Sequence, residues 1–424
     1  MSLEQLLEIL QEQVKPALGC TEPGAVAYGV ALAKELLGTR VEDLRIKVDK
    51  NVLKNGMNVG IPGTEERGIV FAAALALVIG KSEYVLEALR DITPASLEAA
   101  TAIVKAGIIK LDLEEKVDCL YISVEAQGEG ARSQVIIKND HTNVVFKSKN
   151  GHILLAREDG SLQAPGPGKN KYKIKNYTIR ELIEFVRNVP GKEVAFIQAG
   201  IDMNMNLARI ALRDEIGMGL GKYFFQRAKN VFDRAKAYTV AAAEARMSGY
   251  PLPVMTSAGS GNHGLVAITP LAAIGTEMGI SRENITRSIA LSHLLTIYVK
   301  VHTGTLSPVC GCGIAAGIGC TAGLTYMLGG SNDQIRAAIN NMAAGISGMI
   351  CDGAKLGCSA KLAIAVDAAV DAANMALKDI YIPFTDGILA EAAEETVKNM
   401  ALVSRVGMAS TDEVILAIML KRSV

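Results

Sequence analysis

From Pro308 to Gly330 the chain carries no charged side chain. That length is about what a helix needs to cross a bilayer. The composition argues against a crossing: glycine, alanine and cysteine dominate, and no belt of tryptophan, tyrosine and lysine flanks the stretch. Small side chains bury little apolar area, so such a segment partitions poorly into lipid. It reads instead as a helix buried in a helical core, and no membrane is expected as a partner.

The surrounding sequence supplies such a core. From about residue 193 the pattern is helical almost to the end, with segments expected over 226–248, 264–278, 281–299, 307–328, 332–349, 358–377, 384–402 and 410–422. Residues 1–38 share this small-residue texture. It is interrupted at Gly19-Cys20-Thr21-Glu22-Pro23-Gly24, where Thr21 reads as an N-cap, Pro23 as a first-turn residue and Gly38 as a stop. Between the two the texture changes. Leu44–Val48 alternates like a half-buried strand, 50–68 is a polar loop punctuated by glycine, and helices are expected over 68–80, 82–91 and 94–107. Strand signals follow at 119–124, 133–138, 143–147 and 152–155, with Asn139-Asp140 and Asn150-Gly151 suited to tight hairpins. Residues 159–175 read as an exposed loop rich in Gly, Pro and Lys, and 178–189 as a helix. The expected fold class is α+β. A discontinuous all-helical domain, 1–38 plus 200–424, carries an inserted α/β domain, 39–199, with an antiparallel sheet.

Lysine plus arginine number 44 and aspartate plus glutamate 44, so the net charge is zero. No basic arm or stripe is present, and nucleic acid is not expected as a partner. The N-terminal MSLEQLLEIL has early acids and no basic n-region, so it does not read as a secretory signal. A cytoplasmic, reducing location is expected, where clustered thiols serve metals or catalysis rather than disulfides.

Five of the seven cysteines fall between Cys310 and Cys358. Thiolates gathered in an apolar, glycine-rich region suit soft iron. Cys351 and Cys358 bracket a hexapeptide containing Gly353 and Gly357, which lets a loop curl round a ligand. A third thiolate would come from the 310–320 stretch. Cys320, inside the apolar helix, and Cys119, in an alternating strand, read as packed small hydrophobes. Structural zinc is the rival metal, but the C-x2-C knuckle it usually takes is missing. Three ligands rather than four would leave one iron open to a substrate heteroatom, which suits an elimination.

Cys20 precedes the expected N-cap, where the helix dipole and free amides should lower its thiol pKa, making it a candidate general base. Thr256–Gly264 leads into a helix, so its clustered amides form an anion site to which Ser260, Asn262 and His263 add donors. A carboxylate or a phosphate would fit there; the lysine of a Walker loop is absent. Asn55 lies in Lys54–Thr64, either a substrate loop or only a long connection. His293 and His302 read as core residues or residues behind the ligands, and His141 and His152 as surface residues of the strand meander.

Taken together, GCTEPGAVAYG, KNGMNVGIPGT, TSAGSGNHGL, CGCGIAAGIGC and SGMICDGAKLGC resemble the L-cysteine desulfidase family, in one order across almost the whole chain. That family is itself related to the alpha subunit of bacterial iron–sulfur L-serine dehydratases. The resemblance implies an α/β domain joined to an all-helical catalytic domain. It implies a carbon–sulfur lyase that needs no PLP and converts L-cysteine to hydrogen sulfide, ammonia and pyruvate by α,β-elimination. L-serine dehydration is the alternative activity, and a non-catalytic iron–sulfur redox sensor the rival of another class. An oxygen-sensitive [4Fe–4S] cluster is implied as well, held by three cysteines with one iron open. Carried over by motif, its ligands are Cys312, Cys351 and Cys358, with Cys310 as the alternative to Cys312. The serine enzymes keep a cluster cysteine eight residues before the position of Cys320, which selects Cys312. The family's proposed base falls on Cys20. No cysteine stands near the terminal LKRSV, so a tail that plugs the open iron is not expected. A small amino acid is the expected partner, and a homodimer is compatible with the sequence.

Overall fold

The computed structural model describes residues 3–117, 119–157, 170–304 and 306–421. Helix α1 (Leu3–Gln13) buries Leu6, Ile9 and Leu10, which recur at helical spacing. Strand β1 (Pro16–Ala17) pairs antiparallel with the distant β8 (Val254–Met255). Helix α2 (Thr21–Leu37) follows and ends at Gly38, whose left-handed conformation (φ 75°) closes the last turn.

Six further strands form one sheet in the order β3-β2-β4-β5-β6-β7. They are β2 (Asp43–Val48), β3 (Ile109–Leu113), β4 (Tyr121–Gly128), β5 (Ala131–Lys138), β6 (Val144–Lys149) and β7 (His152–Ala156). The register sets Ile46 opposite Val124 and Val124 opposite Val135, giving one fully buried apolar row. Asn150 and Gly151 both take positive φ, 50° and 81°, as a primed hairpin turn requires. The pair β2–β3 is parallel, so the sheet is mixed rather than purely antiparallel. Strand β3 escaped the sequence pattern because it is a short edge strand with charged Lys110 and Asp112 between its apolar residues. The expected loop at 50–68 likewise begins with a helix, α3 (Lys50–Gly56). Its cap is Asp49, whose Oδ1 accepts from the amides of Asn51 and Val52 at 2.8 and 3.3 Å. Helices α4 (Gly68–Ile79) and α5 (Pro94–Ala106) appear where expected, while 82–91 contains only a 3-10 turn, Ser82–Glu87.

The helical part comprises α6 (Ile179–Asn188), α7 (Ile197–Arg213), α8 (Leu220–Arg227), α9 (Val231–Met247), α10 (Gly261–Glu277) and α11 (Arg282–Thr303). It continues with α12 (Ala315–Met327), α13 (Asn332–Ile346), α14 (Cys358–Leu377), α15 (Ala393–Leu402) and α16 (Thr411–Leu420). Of the uncharged stretch, Ala315–Met327 forms α12, packed among α10, α11, α13 and α14, while 308–314, expected as helix, is loop and turn. A Cβ on Gly319 would lie 2.3 Å from the carbonyl oxygen of Ser292 in α11, so glycine lets these two backbones close up. Among the described residues no helix is long and apolar enough to cross a membrane. Most of the loop expected at 159–175 lies outside the described residues; Asn170–Asn176 is a 3-10 turn.

Two large apolar cores result. Helix α1 joins the helical core, whereas Val26, Val30 and Leu37 of α2 pack with Ile46 and Val124 in the sheet core. Residues 1–38 therefore do not pack as one piece with the helices. Helix α6, inside the expected 39–199 unit, gives Leu182 and Phe185 to the helical core, and Leu416 of α16 reaches the sheet core. The chain thus crosses between the parts more often than a single insertion would.

Candidate functional site

Two loops, one before α12 and one before α14, carry Cys310, Cys312 and Cys351, and Cys358 opens α14. An antiparallel bridge between Val309 and Ile350 stitches the loops together. In it the Cys310 amide donates to Met349 O at 2.8 Å and the Cys351 amide to Pro308 O at 2.7 Å. Cys310, Cys312, Cys351 and Cys358 then line one cavity of about 100 Å3. Glycine is required where the loops turn. Gly353 has φ 91°, and a Cβ there would meet Lys54 O at 2.3 Å; a Cβ on Gly311 would meet His263 Nε2 at 2.5 Å.

The four thiols sense one another. A hydrogen bond from Cys312 holds the Cys310 thiol down to about 6, and the same bond pushes Cys312 up. Burial raises Cys351 and raises Cys358 to about 11. Lysines stand around them. Lys300 is buried and falls to about 8 through desolvation, an effect the neighbouring thiols oppose. Lys361 donates to Ile350 O at 2.8 Å and pairs with Asp352. Against the upward push of burial, Lys355 and Lys361 hold Asp352 at about 2.

Among the described residues no three His, Cys, Asp or Glu side chains converge as a single metal ion would require. A cubane asks for something else: one thiolate on each of several irons, with the sulfurs standing apart. Four thiols on one cavity, with lysines near enough to offset negative charge, fit such a group. Cys310 and Cys312 both face the cavity, and nothing in their placement separates them. Cys320 is fully buried in α12, its thiol pushed up to about 12 by desolvation. Cys119 lies outside the cavity, just before β4.

Cys20 lines the same cavity as the N-cap of α2, and its side chain makes no capping bond. Its thiol is not lowered as helix position alone suggests. Burial, then the charge of Glu22, raise it to about 12, and Arg246 opposes them only in part. Opposite lies the turn before α10. Ser257 and Ser260 exchange backbone hydrogen bonds at 3.1 Å, and Ser260 caps α10 without using its hydroxyl. Ser260, Asn262 and His263, at the start of α10, line the cavity.

Two of the expected donors do other work. Asn262 accepts from Arg246 at 3.0 Å, and its amide faces Met247 Sδ at 3.5 Å. His263 Nδ1 lies 3.1 Å from Ser257 O, so that nitrogen carries the proton and Nε2 presents a lone pair. Burial and nearby Lys300 pull this histidine down to about 3, which keeps it neutral. His263 is an acceptor here, not a donor to an anion. Behind it the fully buried His293 bonds Ser257 Oγ at 2.9 Å.

Asn55 donates to Glu22 Oε1 at 3.1 Å and its Oδ1 is 4.0 Å from Cys351 Sγ, so α3 ties the Cys20 turn to the cysteine loops. His141 is buried and lines the cavity, not the surface, because the β5–β6 turn folds inward. His152 is exposed as expected. Residues that pattern alone did not single out are Glu22, Arg246 and Lys300. Arg246 is 4% exposed and gives Gly19 O a 2.7 Å hydrogen bond. The available signal was a lone arginine in the small-residue run TVAAAEARM.

The family model for the serine dehydratase alpha chain matches residues 83–417. A UPF0597 protein of Clostridium tetani is 52% identical over 418 residues, 98% of each chain. One of Caldanaerobacter subterraneus subsp. tengcongensis is 52% identical over 417 residues, again 98% of each. Another, from Clostridioides difficile, is 41% identical over 424 residues, 97% of this chain and 98% of its own. The chain belongs to the serine dehydratase alpha chain family, alongside UPF0597 proteins that match it nearly end to end.

Proposed function

We propose that the protein is a PLP-independent iron–sulfur lyase of the reducing cytoplasm, converting L-cysteine and one water to hydrogen sulfide, ammonia and pyruvate. One observation supports this above the others: four cysteine thiols, Cys20 and the first residues of α10 share one small cavity, in the serine dehydratase alpha chain family. Cys351, Cys358 and Cys312, or Cys310 in its place, would hold a [4Fe–4S] cluster, whose chemistry there is Lewis-acid withdrawal of electrons from the leaving group.

The chain's own residues do the remainder. The amides opening α10, with the free hydroxyl of Ser260 and the buried guanidinium of Arg246, hold the substrate carboxylate. Cys20 Sγ takes the α-proton from a substrate fixed beside it, so orientation supplies much of the acceleration. Arg246 favours the thiolate that this step needs, against burial and Glu22. The neutral His263 and the side chain of Asn55 are placed to orient polar groups of the substrate.

The family description favours L-serine as a second reading, with water rather than sulfide leaving. Anaerobically reconstituted protein given L-cysteine should release sulfide and pyruvate in equal amounts. Pyruvate from L-serine alone would move the assignment to serine dehydration, and none from either amino acid would remove it.

A further inference from the structure

We propose that Glu22 binds the α-ammonium of the substrate and that, with Arg246, it makes the cavity a receptor for an α-amino-acid zwitterion. This rests on the preceding assignment only in taking the cavity to be the substrate site.

Two opposite charges are buried at this cavity without counter-ions. Glu22 is 6% exposed and Arg246 4%. The partners of Glu22 are neutral: Asn55 donates to Oε1 at 3.1 Å, the Thr21 hydroxyl to Oε2 at 3.2 Å, and the Cys20 thiol also bonds the carboxylate. Those of Arg246 are neutral too, the Asn262 side-chain oxygen and Gly19 O, and its buried Nε has no partner at all. Among the described residues neither charge forms an ion pair, with the other or with anything else. Buried charges are ordinarily paired, because desolvation without a partner is costly. Both groups line the cavity with Cys20, and both act on its thiol in opposite directions.

Of the other charged groups lining the cavity, Lys361 pairs with Asp352, while Lys300 is a second buried cation, near the cysteine thiols and without an ion pair among the described residues. Glu22 is the one carboxylate lining the cavity among the described residues, so an incoming ammonium has one place to go. A ligand with only one charge would satisfy one of the two residues and strand the other. A molecule carrying ammonium and carboxylate on one carbon satisfies both, and sets that carbon's proton near Cys20. The free amine is then a requirement of binding, which excludes N-acylated amino acids and simple acids.

Calorimetric titration of the anaerobic holoprotein tests this with L-alanine, which has the zwitterion but no leaving group. L-alanine should bind, while propanoate and N-acetyl-L-alanine bind at least tenfold more weakly. Glu22→Gln should lose tenfold or more of the affinity for L-alanine and none for propanoate. If that variant does not fold, the discrimination among the three ligands by the unaltered protein decides the matter. The proposal is overturned if L-alanine does not bind, if either analogue binds as well, or if Glu22→Gln binds L-alanine undiminished. Turnover of L-cysteine and L-serine is measured on the same preparation. Discrimination without turnover sinks the lyase and keeps the amine site; turnover without discrimination does the reverse.

Discussion

A thiol whose pKa stands near 12 is a strong base that is almost never ionised at neutral pH, and this tension defines Cys20. The sign is set by burial and Glu22, which both disfavour the anion. If Cys20 is the base, kcat/KM rises with pH, about tenfold per unit while the thiolate is scarce, from about pH 7 to about pH 10 without a plateau. A plateau below about pH 8 would point to another base. Cys20→Ala should keep its iron and lose turnover by a factor of about 100 or more; retained turnover removes Cys20 from the chemistry. At this scale cysteines are legible in sequence because few other roles explain their grouping. Arg246 and Glu22 are not, since a charge becomes functional only through the partners it lacks in space. Nor is the direction of the Cys20 shift, because a helix terminus is visible in a motif and burial is not.

Among the elements, the pairing of α11 with α12 shows why a glycine-rich, uncharged run need not be a membrane span. Gly319→Ala places a methyl 2.3 Å from Ser292 O, where backbone must move. The expected cost is about 1–3 kcal/mol, read as a lower urea midpoint at unchanged slope; no shift would mean that the two helices separate freely. Long periodic helices and hairpins with Asn-Gly turns were legible because each carries its own signal. The short α3 was not. Its Lys54 and Asn55 look like loop residues, yet both are buried through distant partners, Asp412 and Glu22. The same holds for the inward turn that buries His141.

For the molecule as a whole, the decisive contacts join segments far apart in the chain. Lys54 and Asp412 form a buried ion pair at 2.5 Å, with 1% and 4% of their side chains exposed, tying the last helix to the first part of the site. Asp412→Asn strands the lysine charge and should cost about 3–5 kcal/mol, whereas Lys54→Met with Asp412→Leu should recover most of it. Denaturant unfolding of the two variants checks this; equal losses in the single and the double variant would contradict it. Such crossings are why a two-part division drawn from texture put α2 with the wrong core. The central claim is that two loops, brought together by the Val309–Ile350 bridge, hold one iron–sulfur cluster through Cys351, Cys358 and a neighbour. Iron and acid-labile sulfide per chain, measured anaerobically in wild type and in Cys351→Ala, test it most directly. About four of each are predicted in wild type, and almost none in the variant. Wild type without iron, or a variant that keeps its full complement, would contradict the account.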